Sequence, residues 1–204
     1  MANSHYYLND DTLASKPRIV NYEINGVKFA LNSDQGVFSK DELDEGSRLL
    51  IETLLPLALK GKILDVGCGI GPIGLTLAYF LPLTSITCID VNTRALALCE
   101  RNAKLLELSP RVTCLQSDIY QNIEGQYDSI VSNPPIRCGK KVTYRIYEGA
   151  KSHLIDGGSL YIVVRKQQGA LSVKTYLEEI FGNVEVLKRS KGFFILKSTK
   201  AKGN

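Results

Sequence analysis

The stretch that decides the fold is ILDVGCGIGPIG, residues 63–74. Its apolar start predicts a buried strand, and the glycines that follow allow positive φ and let the backbone approach a ligand closely. Pro72 suits the first position of a helix, where its missing N–H costs nothing. The spacing of Gly69, Gly71 and Gly74 also fits the dinucleotide fingerprint, so the loop predicts a nucleoside cofactor without separating NAD from an adenosyl group.

Around this loop, apolar strands alternate with helical segments. Helices are predicted over residues 41–59, 72–80, 93–106, 140–154 and 170–181, and strands over 63–66, 85–89, 112–116, 129–132, 159–164, 184–188 and 193–197. Such a pattern is typical of a parallel sheet covered by helices on both faces. We therefore predict an α/β, Rossmann-like fold with a mostly parallel seven-stranded sheet, whose last two strands form an antiparallel pair. Ligands of such sheets bind beyond the carboxyl ends of the strands.

The N-terminal region contains a hairpin signal. Alternating apolar residues over 20–24 and 27–31 flank Asn25-Gly26, the dipeptide most typical of a two-residue β turn. We interpret residues 1–40 as this hairpin with a cofactor-covering segment, and residues 41–204 as the main domain. The hairpin is expected to be a small appendage.

Composition limits the class of protein. A chain of 204 residues, 44% hydrophobic and 23% charged, is typical of one globular domain. The N-terminus lacks the pattern of a secretory signal, and the longest apolar stretch is too short to span a bilayer. The five cysteines form no C-x-x-C pair, and His5 and His153 are the only histidines. We therefore expect a cytoplasmic protein with no membrane partner and no metal.

Acidic residues follow the strands next to the glycine loop. Asp90 ends a predicted strand, where a carboxylate can accept hydrogen bonds from both hydroxyls of a ribose. Asp118 follows the next strand, where it could accept from an adenine amino group while Ile119 packs against the ring. Asp65 lies two residues before the first glycine and could meet a cationic amino group, which NAD lacks.

The strand predicted over 129–132 leads into Asn133-Pro134-Pro135. Proline fixes its own φ near about −65° and pushes the preceding residue into an extended conformation. The Asn133 side-chain carbonyl and the Pro134 backbone carbonyl could then hold both hydrogens of a planar amino group. Such a grip directs the nitrogen lone pair towards an electrophile and needs no general base before the attack. Because this motif has no role in hydride transfer, it argues against a dehydrogenase.

Together, the segments DVGCGIG (65–71) and NPPI (133–136), with Asp90 and Asp118, resemble the motif set of class I S-adenosylmethionine-dependent methyltransferases. The resemblance is closest to the small-domain, RsmC-like group, which methylates the 2-amino group of guanine in 16S ribosomal RNA, and it covers nearly the whole chain. GVFS (36–39) and LDEGS (43–47) resemble that group's entry segment over the methionine end of the cofactor.

The resemblance implies S-adenosylmethionine as the cofactor, and ribosomal RNA or a partly assembled small ribosomal subunit as the partner. The implied cofactor-binding residues are Phe38, Asp65, Gly67, Cys68, Gly69, Gly71, Asp90, Val91, Asp118, Ile119 and Asn133. The implied catalytic residues are Asn133, Pro134, Pro135 and Ile136. Many amino-methylating relatives have an aromatic residue that stacks on the target base where this chain has Ile136.

Basic residues follow the same motif, in a chain of net charge +4. Clustered positive charge suits a polyanionic partner, and the cations predicted to bind RNA phosphates are Arg137, Lys140, Lys141 and Arg145. Two alternatives stay open. The chain could methylate a protein glutamine, whose amide presents the same planar amino group, or it could be a non-catalytic RNA-binding module that keeps the cofactor fold.

Overall fold

The computed structural model describes residues 14–37, 42–134 and 139–203. The strands in these ranges are β1 (Arg18–Ile24), β2 (Val27–Ser33), β3 (Gly61–Val66), β4 (Thr84–Asp90), β5 (Val112–Gln116), β6 (Tyr127–Ser132), β7 (Leu154–Arg165), β8 (Glu185–Ser190) and β9 (Phe193–Thr199). The α-helices are α1 (Glu45–Leu54), α2 (Pro72–Phe80), α3 (Thr93–Leu105), α4 (Gly139–His153) and α5 (Ala170–Phe181). Within the described ranges, none of the helices has the length and apolar character needed to cross a membrane.

Seven of the strands form one sheet in the order β5-β4-β3-β6-β7-β9-β8. The first five of that order pair in parallel, whereas β9 runs antiparallel to both β7 and β8. β1 and β2 form a separate antiparallel sheet. The predicted Rossmann-like fold, with its antiparallel C-terminal pair and N-terminal hairpin, is therefore confirmed.

The strand order reverses at the centre of the sheet. From β3 the chain proceeds outward through β4 to β5, and then returns to place β6 and β7 on the other side of β3. A reversal of this kind opens a crevice beyond the carboxyl ends of the two central strands. The glycine loop follows β3 and Asn133 follows β6, so both lie where a ligand of this fold binds.

Helices cover both faces of the sheet. One hydrophobic cluster contains buried residues of α1, α2, α3 and the hairpin, and a second contains those of α4 and α5. Neighbouring strand residues alternate between the two, as Ile63 and Leu64 do. The central strands are thus apolar on both sides, which explains why their sequences are near-continuous apolar runs.

The hairpin is joined to the main domain by packing and by hydrogen bonds. Its Asn25-Gly26 turn has positive φ at both residues, 48° and 78°, as a type I′ turn requires. The Tyr22 hydroxyl lies 2.8 Å from Thr76 Oγ1 of α2. The Asn102 amide of α3 both accepts from and donates to the backbone of Asn32. The buried face of the hairpin therefore belongs to the larger of the two cores.

Two predicted elements had bounds that differ from the structure by more than two residues. The helix predicted over 41–59 begins at Glu45, because Asp44 is its N-cap and accepts from the Ser47 N–H, and its regular part ends at Leu54, two residues before Pro56. The strand predicted over 159–164 spans Leu154–Arg165 and starts directly after α4. Its first residues include Gly157 and Gly158, which have low strand propensity and hid this extension.

Candidate active site

The glycine loop turns directly off the end of β3. The N–H groups of Gly67 and Cys68 both donate to the Ile89 carbonyl of β4 at 2.9 Å, which fixes the start of the loop. Gly67 has φ +74°, and a Cβ placed there would meet nothing within 4 Å, so this part of the backbone faces open space. Gly71 has φ +89°, and its Cβ would lie 2.5 Å from Cys99 Sγ, so no larger residue fits.

Asp90 ends β4 beside this loop. Its carboxylate accepts from the Gly69 N–H through Oδ2 and from the Asn92 N–H through Oδ1, both at 2.9 Å. Burial raises the pKa of this carboxyl, and the backbone N–H groups oppose that rise. Because a carboxylate has about four acceptor sites, the predicted contacts with ribose hydroxyls are compatible with these two bonds. Val91, the next residue, is half-buried.

Asp118 and Ile119 follow β5. Ile119 is buried and has φ +56°, a left-handed conformation that is unusual for a β-branched residue and that occurs often at functional sites. The Asp118 carboxylate is exposed and pairs with the Arg145 guanidinium, with Nη2 3.2 Å from Oδ2. These two side chains were predicted to bind different ligands, adenine and RNA phosphate. An exposed pair of this kind contributes only about 0–1 kcal/mol, so either partner can exchange it for a ligand.

The expected contact between Asp65 and a cofactor amino group needs correction. Asp65 has no accessible surface, and its Oδ2 accepts from the Gly74 N–H at 2.9 Å. Burial raises the pKa of Asp65 to about 8. Among the described residues its Oδ1 has no hydrogen-bond partner. Asp65 therefore lies beneath the loop and connects β3 to the first turn of α2, where it positions the loop.

The thiols of Cys68, Cys88 and Cys99 lie together under the same loop. All three are buried, and their Sγ atoms are within 4.8 Å of one another. They come from the loop, β4 and α3, so the spacing of cysteines along the chain contains no signal of the cluster. Two of the sulfurs pack closely against backbone, since a Cβ at Gly71 of the loop would lie 2.5 Å from Cys99 Sγ and a Cβ at Gly74 of α2 would lie 2.7 Å from Cys88 Sγ.

Asn133 lies at the end of β6, and two side chains at the start of α1 hold its amide nitrogen. Its Nδ2 donates to Asp44 Oδ1 at 3.0 Å and to Ser47 Oγ at 2.9 Å. A carboxylate only accepts, so the amide must turn its nitrogen towards Asp44. Its Oδ1 accepts no hydrogen bond from the residues that the structure describes and remains available to a ligand. Neither Asp44 nor Ser47 was predicted as a site residue.

A cleft opens beside Asn133, between the ends of β6 and β7 and the first turns of α4 and α5. Its lining includes Asn133, Pro134, Lys140, Tyr144, Arg165 and Phe193. The Arg165 guanidinium lies over the Phe193 ring, 4.8 Å from its centroid. Among the described lining residues, two carry positive charge and none carries negative charge. Arg165 and Phe193 were missed because β7 and β9 come together only in the folded sheet.

The other predicted site residues include four that the structure does not describe and one exposed lysine next to the cleft. Phe38, Pro135, Ile136 and Arg137 lie outside the described residues. Lys141 is exposed on α4 beside the lining residue Lys140. His153 lies at the opposite end of α4, where it stacks on Tyr120, so the cleft has no histidine among its described residues.

The comparisons with known proteins agree with this geometry. The profile described as Methyltransferase small domain matches residues 28–197. The chain is 43% identical to YbxB of Bacillus subtilis, over 96% of this chain and 98% of that one. It is 39% identical to ribosomal RNA small subunit methyltransferase C of Erwinia tasmaniensis, over 82% of this chain and 48% of the relative. The chain thus spans about half the length of the methyltransferase C relatives it matches.

A solved methyltransferase structure has the same fold as this chain. The Thermus thermophilus 16S rRNA N2 G1207 methyltransferase, RsmC, in complex with AdoMet and guanosine, superposes with a TM-score of 0.82 at 26% identity. The match covers 92% of this chain and 52% of that one. A relative solved with S-adenosylmethionine supports this compound as the cofactor here.

The residues around the crevice fit that cofactor. The backbone at Gly67 opens onto empty space, and Asp90 presents a carboxylate next to it. Asn133 lies at the edge of the same crevice, and its amide oxygen, which has no partner in the described part of the chain, is available to a second ligand beside the cofactor. A profile match over most of the chain and the shared fold lead to one conclusion: the chain belongs to the methyltransferase small domain family, as an RsmC-like class I S-adenosylmethionine-dependent methyltransferase.

Proposed function

We propose that this protein transfers a methyl group from S-adenosylmethionine to the 2-amino group of a guanine in the RNA of the small ribosomal subunit. The observation that carries the proposal is the orientation of Asn133. Its nitrogen is engaged by α1 and its oxygen is not, at the strand end that borders both the glycine loop and an open cleft. An amide oxygen so placed can accept a hydrogen bond from an amino group in the cleft.

The glycine loop would hold the cofactor, together with Asp90 at the ribose and with Asp118 and Ile119 at the adenine. S-adenosylmethionine supplies a methyl group attached to a positively charged sulfur. Asn133 Oδ1 and the Pro134 carbonyl accept one hydrogen bond each from the two N–H groups of the guanine amine. These bonds turn its lone pair towards the methyl carbon, the new N–C bond forms as the C–S bond breaks, and the proton leaves afterwards to solvent.

This chemistry needs orientation more than it needs a base. The described residues of the cleft include no histidine, aspartate or glutamate that could remove a proton before the attack. Holding a reacting group in the productive geometry accounts for a large part of many enzymatic rate enhancements. In this proposal, the two carbonyl acceptors provide that geometry for an exocyclic amine.

Charge and relatives favour RNA as the substrate. Lys140 and Arg165 line the cleft, and Lys141 adds a neighbouring cation on α4. Phosphates attract such a surface, and stacking of guanidinium on an aromatic ring, as in Arg165 over Phe193, also suits contact with bases. The T. thermophilus relative, solved with guanosine, acts on N2 of a guanine in 16S rRNA. The charge supports RNA, and this relative supports guanine over other bases.

The test is to identify the methylated product. Purified protein and labelled S-adenosylmethionine are incubated with unmodified 16S rRNA, with small ribosomal subunits that lack the modification, and with a release-factor protein. We expect label in RNA and N2-methylguanosine on mass spectrometry of the nucleosides, with a strongly reduced rate of labelling by the Asn133→Ala variant. Label on a glutamine of the protein, or on an adenine, would overturn the substrate assignment.

A further inference from the structure

Asn133 can take part in the proposed methyl transfer only if its amide is kept in one orientation. An asparagine amide can rotate by 180° and exchange its oxygen for its nitrogen with little change in shape. Only one of these two orientations presents an acceptor to an incoming amine. The other presents a donor, which would repel the N–H groups of the substrate.

We propose that Asp44 and Ser47 are positioning residues that select the reactive orientation of Asn133, an inference that rests on the proposed function. Asp44 Oδ1 and Ser47 Oγ both accept from Asn133 Nδ2, at 3.0 Å and 2.9 Å. In the rotated amide, an oxygen would face the acceptor-only carboxylate of Asp44, and two lone pairs would repel each other. The carboxylate thus excludes the rotated state on electrostatic grounds.

The start of α1 is built to hold Asp44 in place. The same Oδ1 accepts from the Ser47 N–H at 3.0 Å, so Asp44 is also the N-cap of the helix. Ser47 is 3% exposed, which restricts its hydroxyl to partners inside the protein. Between them, Gly46 allows close approach, because a Cβ there would lie 3.1 Å from Asp44 Oδ1 and 3.5 Å from Asn133 Nδ2.

Capping and positioning can be separated by the choice of substitution at position 44. Asp44→Ser keeps an N-cap residue of similar quality, but its hydroxyl is attached directly to Cβ and is too short to reach Asn133. Asp44→Asn keeps both the cap and an acceptor oxygen at full length. Asp44→Ala removes both. The proposal predicts three different results for these variants, whereas a purely structural role predicts that activity follows stability.

For Asp44→Ser we expect kcat to fall roughly tenfold or more, as expected for the loss of one strong hydrogen bond that matters at the transition state. The thermal midpoint, the affinity for S-adenosylmethionine and the KM for RNA should be nearly unchanged. Ser47→Ala should lower kcat by a smaller factor. Asp44→Asn should keep near-normal turnover, and Asp44→Ala should combine the loss of kcat with a midpoint about 2–4 °C lower.

A second background tests whether the effect passes through Asn133. In Asn133→Ala, Asp44→Ser should cause no further loss of kcat, because the amide that it orients is gone. An Asp44→Ser variant with normal kcat would overturn the proposal. The proposal would also be overturned if Asp44→Ser lowered kcat by the same factor in the wild type and in Asn133→Ala.

One readout is independent of the reaction. The side-chain NH₂ signals of Asn133, assigned by their disappearance in Asn133→Ala, should be protected from hydrogen exchange in the wild type and in Asp44→Asn. They should lose that protection in Asp44→Ser. If these signals stay protected from exchange in Asp44→Ser, the positioning role is overturned, even if no RNA is methylated. If protection is lost as expected but the wild-type protein methylates no RNA, only the proposed function is rejected.

Discussion

Replacement of Asp90 by asparagine should weaken cofactor binding, because the amide has no charge and its NH₂ group cannot accept the second of the two backbone N–H bonds. The Asp90 carboxylate is tied to two backbone N–H groups, at Gly69 and Asn92, and keeps acceptor capacity for the two hydroxyls of a ribose. Hydrogen bonds to a charged group contribute about 1.5–3 kcal/mol and those between neutral groups about 0.5–1.5 kcal/mol. Losing the charge should therefore cost about 1–1.5 kcal/mol for each hydroxyl.

Two hydroxyls give a loss of about 2–3 kcal/mol, which corresponds to a dissociation constant roughly 30- to 150-fold larger. Isothermal titration calorimetry with S-adenosylhomocysteine measures it. The matched control is Asp128→Asn, which removes one carboxylate at the opposite end of the sheet, where Asp128 Oδ2 accepts from the Lys62 N–H. The control should bind with wild-type affinity.

The pH dependence of the same titration adds a second check. Burial raises the pKa of Asp90, so its carboxyl gains a proton at a higher pH than an exposed aspartate does. Protonation removes the charged acceptor, and wild-type affinity should therefore fall as the pH is lowered. Asp90→Asn has no such group and should show a flatter profile. Equal affinity of Asp90→Asn and the wild type at neutral pH would refute the assignment of Asp90 to the ribose.

Three further predictions concern the loop and the basic surface. Burial raises the pKa of Asp65 to about 8 from its ordinary 3.8, so the native state retains a proton that the unfolded chain releases. The bound proton stabilises the native state fully below about pH 4, and this stabilisation is lost towards pH 8 at about 1.4 kcal/mol per pH unit. The free energy of unfolding measured in urea should therefore fall from pH 5 to pH 7 in the wild type, whereas Asp65→Asn should lack that fall. Gly71→Ala should lower the thermal midpoint and abolish cofactor binding. The control Gly125→Ala has a similar φ but no neighbouring atom within 4 Å, so it should lower the midpoint only by the smaller amount that backbone strain causes. Equal decreases of the midpoint would contradict the close approach of Cys99. Lys140→Ala with Lys141→Ala should reduce the log–log salt slope of RNA binding by roughly one unit for each phosphate that is no longer neutralised, and Lys60→Ala with Lys62→Ala should leave it unchanged.

Sequence patterns predicted the parts of this molecule that local chemistry determines. Asn25-Gly26 specifies its own turn, and the glycine loop with Pro72 specifies the change from strand to helix. The apolar runs of β3, β4 and β6 could be recognised because burial on both faces leaves no polar alternation. The positions of Asp90 and Asn133 then followed from where those strands end.

The environment of these residues could not be predicted, because it depends on contacts between distant parts of the chain. Asp44 and Ser47 meet Asn133 across 89 and 86 residues of sequence. Asp65 has the same type of side chain as Asp90, yet the first turn of α2 covers it and removes it from the crevice where the cofactor is expected. The thiol cluster likewise arises only when the loop, β4 and α3 pack together.

The measurement that tests the central claim most directly is single-turnover methyl transfer by Asn133→Ala, with saturating RNA and S-adenosylmethionine, next to calorimetry of cofactor binding. If the amide oxygen orients the reacting amine, the rate should fall by about 10²–10³-fold, as when one preorganised transition-state hydrogen bond is removed. Cofactor affinity should stay nearly unchanged. A variant that transfers methyl at close to the wild-type rate, or that loses activity only because it no longer binds the cofactor, would contradict the account.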